Sequence, residues 1–280
     1  MVIPIFDPQD ERLKAYRAIR ERDLVGREGR FIAEGEVVLR ILLKQSRFPV
    51  ESLCLTEVQA RRLEEVVRGL PPEVPTYIVS REVMDGVAGF PIHRGILAVG
   101  RQGPKPTAME LLAGLPERAL VIGLIGLANH DNVGGVFRNA AAFGADAVLL
   151  DQTSCDPLYR KAIRVSVGAS LTMPFARGGD AGALMTALQE AGFNVAALSP
   201  AGSSGLSEMR WGGRTALLFG AEGEGLPAEI LGRVRAVSVP MAAGFDSLNV
   251  ATTSGIALYE ARRQSSKLPS GTAGPRCRRP

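Results

Sequence analysis

Two hydrophobic textures divide the chain. From about residue 109 onward, near-continuous apolar runs recur between turn signals. They read RALVIGLIGL at 118–127, DAVLLDQ at 146–152, FNVAALS at 193–199, RTALLFG at 214–220 and VRAVSVP at 234–240. Stretches with helical spacing, such as VGGVFRNAAAFG and GDAGALMTALQEAG, lie between them. Strands that are apolar on both faces and alternate with helices predict a parallel sheet covered on both sides. Ligands of such sheets bind beyond the carboxyl ends of the strands. Here those ends read LANHDNVGG, FGAEGEGLP and VPMAAGFDSLNV, rich in Gly, Asn and acidic residues.

The first hundred residues predict a smaller α/β unit. Asp7 or Asp10 caps a helix to about Arg22, with Leu13, Tyr16 and Ile19 at three- or four-residue steps. FIAEGEVVLRILLKQ has a short apolar start, and a helix is expected over 35–44. ESLCLT, PTYIVS and GILAVG read as strands, with a helix near 57–68 between the first two. RQGPKPT at 101–107 combines Gly, Pro and charge and is the linker candidate. The expected division is therefore 1–105, 106–264 and a tail, 265–280. The tail is rich in Ser, Gly and Pro, lacks apolar periodicity and is expected to be disordered.

Composition narrows this picture without supplying a function. The 280 residues are 46% hydrophobic and 22% charged, ample for a large core. No apolar run reaches the ~18 residues of a membrane span, and with no basic start followed by an apolar stretch no secretory leader is expected. A cytoplasmic protein with no membrane partner is expected. Three scattered cysteines and two histidines, His93 and His130, argue against a disulfide framework and against a metal site. The net charge of +4 equals that of the tail, which has four basic and no acidic residues. Arginine greatly outnumbers lysine, which suits phosphate, but genome base composition produces the same bias. Charge alone leaves nucleic acid open.

Two nucleotide signatures fail. G-x-x-x-x-G-K-[ST] is absent, and FGAEGEG has the order G-x-x-G-x-G at the wrong place for a dinucleotide fingerprint. Three other segments stand out together. The first runs from Asn132 through Arg138 and Asn139 to Gly144. The second is LFGAEGEGL at 218–226. The third is Val239-Pro240-Met241 followed by Ser247-Leu248-Asn249-Val250 and a helix to about Arg263. Glycines at 220, 223 and 225 let backbone approach a ligand closely, although ordinary turns use glycine too. An arginine in the apolar stretch VGGVFRNAAAFG is expected to be buried with an anionic partner, either a phosphate or a salt-bridge carboxylate.

In this order and spacing the three segments resemble the SpoU/TrmH-type RNA 2′-O-ribose methyltransferases of the SPOUT class, over roughly 118–263. The resemblance implies an α/β catalytic domain with a parallel sheet and a deep trefoil knot. It implies S-adenosylmethionine held largely by main chain at Gly220, Val239 and Leu248, with Met241 beside them. It makes Arg138 the catalytic residue, with Asn132, Glu222, Ser247 and Asn249 completing the set. Loop capping is the competing account of Ser247, Asn249 and Glu222. Because arginine stays protonated, stabilising a developing alkoxide is a simpler role for Arg138 than taking a proton.

REGRFIAEGEVVLRILL and FPIHRGILAVG resemble the family's ribosomal-protein-like RNA-binding extension. Arg27 and Arg30 there, with Arg20, Arg22 and Arg94, are candidate phosphate contacts. Arg160 and Arg164, with Lys161, form a second cluster that is either RNA-binding or a solvated helix face. The resemblance also implies a homodimer through the last helix, where Val250, Ile256, Ala257 and Leu258 are expected to form an apolar surface. The expected activity is methyl transfer to a ribose 2′-hydroxyl of ribosomal or transfer RNA. A non-catalytic RNA-binding or ribosome-assembly protein on the same fold is the alternative.

Overall fold

The computed structural model describes residues 1–17, 21–89, 92, 94–244 and 246–264; of Glu21 and Arg22 only the backbone is described. Arg20, His93, the Arg22 side chain and the tail 265–280 thus lie outside the described residues. Two compact units are present. The first comprises Met1–Pro106 with Ala128–Arg138 and Cys155–Pro174, and the second comprises Thr107–Leu127, Asn139–Ser154 and the chain from Phe175 onward. A single boundary near 106 therefore does not separate the units, because two later segments return to the first.

Five strands build the sheet of the first unit: β1 (Val2–Ile5), β2 (Arg30–Glu34), β3 (Val50–Thr56), β4 (Thr76–Val79) and β5 (Ile96–Arg101). Their spatial order is β1-β4-β3-β5-β2, with β1, β4 and β3 parallel and β5 antiparallel to both neighbours. The amphipathic helix Glu36–Lys44 follows β2 as its pattern predicts, burying Val38, Leu39 and Leu42. The helix expected from Asp10 to Arg22 is instead a 3-10 turn, Glu11–Tyr16, followed by a short α-helix, Glu21–Gly26. Asp10 does cap it, accepting from the Arg12 N–H. Leu13 and Tyr16, three apart, share one face at the 3-10 repeat and are buried. The helix expected at 57–68 breaks at Leu63 into Glu57–Arg62 and Glu64–Arg68.

The segments that return to this unit are tied to it by charge and close packing. Helix Arg160–Val165 sets Arg160 Nε 3.1 Å from Glu34 Oε2, and Arg164 3.7 Å from the same oxygen. Glu34 closes β2 and is only 7% exposed. A carboxylate so buried needs charged or hydrogen-bonding partners, and these two guanidinium groups supply them. The same helix passes Gly134 so closely that a Cβ there would lie 2.8 Å from the Ala162 carbonyl oxygen.

The second unit holds a seven-stranded, wholly parallel sheet. Its strands are β6 (Ala119–Leu124), β7 (Ala147–Leu150), β8 (Phe175–Arg177), β9 (Asn194–Leu198), β10 (Ser204–Gly205), β11 (Arg214–Phe219) and β12 (Arg235–Ser238). Their order is β10-β12-β9-β11-β6-β7-β8. All five strands expected from apolar runs are present, while β8 and the two-residue β10 carry no comparable signal. The core centres on Val121, Leu149, Ala197 and Leu218, with helix Ala181–Glu190 contributing Leu184, Met185 and Leu188. The chain then enters a final helix, Val250–Gln264. Among the described residues no helix is long and apolar enough to cross a membrane.

Candidate active site

A cavity of about 400 Å³ opens beyond the carboxyl ends of β9, β11 and β12, where parallel sheets bind their ligands. Leu198–Pro200 after β9 form one wall, and the loop from Phe219 to Gly225 forms a second. Val239 and Met241 after β12, and residues 247–250 with Thr253, close it. Its size lies within the ~300–1,000 Å³ usual for small-molecule sites. All these residues belong to the second unit.

The β11 loop explains why glycine is needed. It doubles back so that Ala221 N–H donates to the Gly225 carbonyl at 3.2 Å, and Gly225 N–H returns a bond to Ala221 at 3.0 Å. A Cβ on Gly220 would lie 2.2 Å from the Gly225 carbonyl carbon and 2.3 Å from the Leu226 nitrogen. No side chain fits there unless the loop moves. Glycine at 220 is thus fixed by the chain's own crossing, and the crossing shapes the cavity wall.

Of the residues singled out from the sequence, Gly220, Val239, Met241, Leu248, Glu222, Ser247 and Asn249 all line this one cavity. Glu222 is the sole charged group among the described lining residues. The rest of the described lining is apolar side chains, hydroxyls, the Asn249 amide and backbone, the usual make-up of a small-molecule site. Asn249 Nδ2 lies 3.5 Å from Glu222 Oε1, and Asn249 Oδ1 accepts the Ala251 and Thr252 N–H groups at 2.9 and 3.3 Å. Asn249 therefore caps the final helix and fixes its start in the cavity wall. Leu198, Ser199 and Pro200 were missed, because after an apolar strand they read as an ordinary turn.

Asn132 and Arg138 lie on helix His130–Ala142, in the part counted with the first unit. Asn132 is buried in the first turn. Arg138 corrects an expectation: its side chain is exposed, and among the described residues no hydrogen bond or ion pair holds it. The reason is helical phase. Val133, Val136, Phe137 and Ala140 form the buried stripe, and position 138 falls on the opposite face. The exposed guanidinium is available to an anion from outside.

The other cations are more committed. Arg160 and Arg164 pair with Glu34, as described above, and Lys161 lies 2.6 Å from Asp131. Arg30 bonds Glu51 at 2.7 Å and Glu28 at 3.2 Å, whereas Arg27 reaches only Asp23 at 3.3 Å and is largely exposed. His130 stacks obliquely on Tyr159, with ring centroids 5.4 Å apart. On the final helix, Ala257 and Leu258 are fully buried within the chain and cannot form a free apolar surface. Ile256 and Tyr259 are the exposed ones.

Comparison with known proteins places the chain in a family. The SpoU rRNA Methylase family matches residues 119–259. An uncharacterized tRNA/rRNA methyltransferase of Mycobacterium bovis is 38% identical over 96% of this chain and 94% of its own length. The 23S rRNA (guanosine-2′-O-)-methyltransferase RlmB of Escherichia coli is 32% identical over 74% of this chain and 86% of its own. An AdoMet-bound rRNA methyltransferase from Sinorhizobium meliloti superimposes with a TM-score of 0.79 at 25% identity, covering 94% of this chain and 98% of that one. With a family match spanning the cavity-bearing sheet and a relative alike over nearly the whole chain, this protein belongs to the SpoU rRNA methylase family and is a methyltransferase.

Proposed function

We propose that the protein transfers a methyl group from S-adenosylmethionine to a ribose 2′-hydroxyl of ribosomal or transfer RNA. The observation that carries this reading is the cavity beyond β9, β11 and β12. It gathers Gly220, Val239, Met241 and Leu248 around one space, with the Glu222 carboxylate as the sole charged group among the described lining residues. When bound, S-adenosylmethionine supplies an electrophilic methyl on a sulfonium centre. The wall complements its chemistry, with apolar surface and exposed backbone for the adenosine and Glu222 for positive charge.

Arg138 acts on the RNA. As a permanently protonated group it stabilises negative charge developing on the 2′-oxygen and does not accept its proton. Asn132 supports that helix from its first turn, and Ser247, Asn249 and Glu222 orient groups at the cavity mouth. Residues 1–105 are assigned RNA recognition, as a ribosomal-protein-like module whose exposed Arg27 and Arg94 meet phosphate. The loops around the cavity are assigned a deep trefoil knot, and the cytoplasm is the expected setting. Two copies pair through the final helix, with Ile256 and Tyr259 as the apolar contact. An Ile256→Glu variant should then sediment as a monomer, and one that stays dimeric would exclude this face.

Gly220→Ala should weaken S-adenosylmethionine binding about tenfold or more, the equivalent of 1.4 kcal/mol. Calorimetric titration of the folded variant measures this, and unchanged affinity would mean the β11 loop is not part of the cofactor wall. The reading as a whole is tested by incubating the purified protein with radiolabelled S-adenosylmethionine and unmodified ribosomal or transfer RNA. Label should enter RNA. Cofactor binding without transfer to either RNA would favour the non-catalytic alternative.

A further inference from the structure

Asn139 follows Arg138 on helix His130–Ala142, and its side chain reaches across to the final helix. Its Nδ2 donates to the Ala251 carbonyl at 2.6 Å and to Ser254 Oγ at 3.0 Å. Ser254 is fully buried, and its hydroxyl donates in turn to the same Ala251 carbonyl at 2.8 Å. Gly255 permits the approach, since a Cβ there would stand 3.3 Å from Asn139 Nδ2. The bonds land in the first turns of the final helix, beside the residues that line the cavity. Asn249 caps that end, and Val250 and Thr253 face the cavity from it.

We propose that Asn139 is a positioning residue that locks the helix carrying Arg138 to the helix that forms the cavity wall. The inference rests on the methyltransferase reading above and adds to it a residue outside the described cavity lining, acting through the final helix. The physical case is specific to a donor. The Ala251 carbonyl lies in the first turn of its helix and receives two side-chain donors, so an amide N–H at 139 is matched to it. A carboxylate of the same size would place an acceptor against that carbonyl and reverse the sign of the contact. Small displacements at such a lock matter because methyl transfer demands close alignment of hydroxyl and methyl, where a shift near 1 Å costs about 10²-fold.

The test compares the full chain with Asn139→Asp, Asn139→Ala and Gly255→Ala under saturating RNA. The expected result is a kcat lowered about tenfold or more in both Asn139 variants, with S-adenosylmethionine affinity within about threefold of wild type. Asn139→Asp should be no better than Asn139→Ala despite its matching volume. Gly255→Ala removes no bonding group but sets a Cβ 3.3 Å from Asn139 Nδ2, so the amide must shift by a few tenths of an ångström from its two acceptors, and it should show a smaller loss of the same kind. A folded Asn139→Asp variant with wild-type kcat would overturn the proposal. So would a fall in melting temperature with unchanged kcat per folded molecule, the outcome for a purely structural bond. Should the Asn139 variants fail to fold, Gly255→Ala decides: unchanged kcat overturns the lock. Absence of transfer in the wild-type protein itself would instead count against the methyltransferase reading.

Discussion

Arg138→Ala should reduce methyl transfer by about 10²–10³-fold, the loss seen when one preorganised donor to a developing oxyanion is removed. Cofactor affinity should stay within about threefold, because the cavity wall is built from residues of other segments. The same substitution should leave the fold intact. Arg138 is exposed on the face of its helix opposite the buried stripe, and no partner among the described residues loses a bond. Arg138→Lys should also be poor, since a point charge does not reproduce the guanidinium fork. Single-turnover kinetics with calorimetric binding separates the two effects. Wild-type turnover in the alanine variant would remove Arg138 from the chemistry.

The second large effect is on stability. Glu34→Ala should cost about 3–5 kcal/mol, the penalty for removing one partner of a buried ion pair. Arg160 would be left with most of its surroundings desolvated, its side chain being only 16% exposed. The loss should appear in urea unfolding of the full chain. Replacing both partners with apolar residues, Glu34→Leu with Arg160→Met, should recover much of it, because the desolvated charge is then gone. A Glu34→Ala variant within about 1 kcal/mol of wild type would show that water reaches the pair. The Glu34–Arg160 pair would then contribute little to the fold.

These two residues also show what a sequence exposes and what it conceals. The strands of the second unit were legible because a parallel sheet buries both faces, so each strand is a continuous apolar run with turn residues at its end. The cavity was legible for a related reason. Gly220, Val239, Met241 and Leu248 sit at those strand ends, where glycine and small polar residues interrupt the apolar pattern. By contrast, β1 is four residues long and contains Pro4, which suits an edge strand and argues against strand elsewhere. Strand β8 is three residues, too few for periodicity to register.

Long-range polar pairs were the least legible. Glu34 and Arg160 are 126 residues apart, and Asn139 and Ala251 are 112 apart. Nothing local in REGRFIAEGE or in DPLYRKAIR marks the pairing. The Arg160 cluster thus read as a solvated face or an RNA contact, when two of its three cations serve a buried carboxylate. Arg138 erred in the other direction. Its apolar neighbours suggested burial, but they are apolar because they fill the stripe on the far side of the helix. Helical phase, once the helix start at His130 is known, places Arg138 outside.

The central claim is chemical: the methyl goes to a ribose oxygen. The most direct test digests RNA labelled by this protein with alkali, then with nuclease and phosphatase, and identifies the labelled nucleosides by mass spectrometry. A 2′-O-methyl group removes the nucleophile that alkali uses to cut the chain. Label is therefore predicted in alkali-resistant dinucleotides, and then in nucleosides carrying the methyl on ribose. Label in base-methylated nucleosides released by alkali as single nucleotides would contradict it.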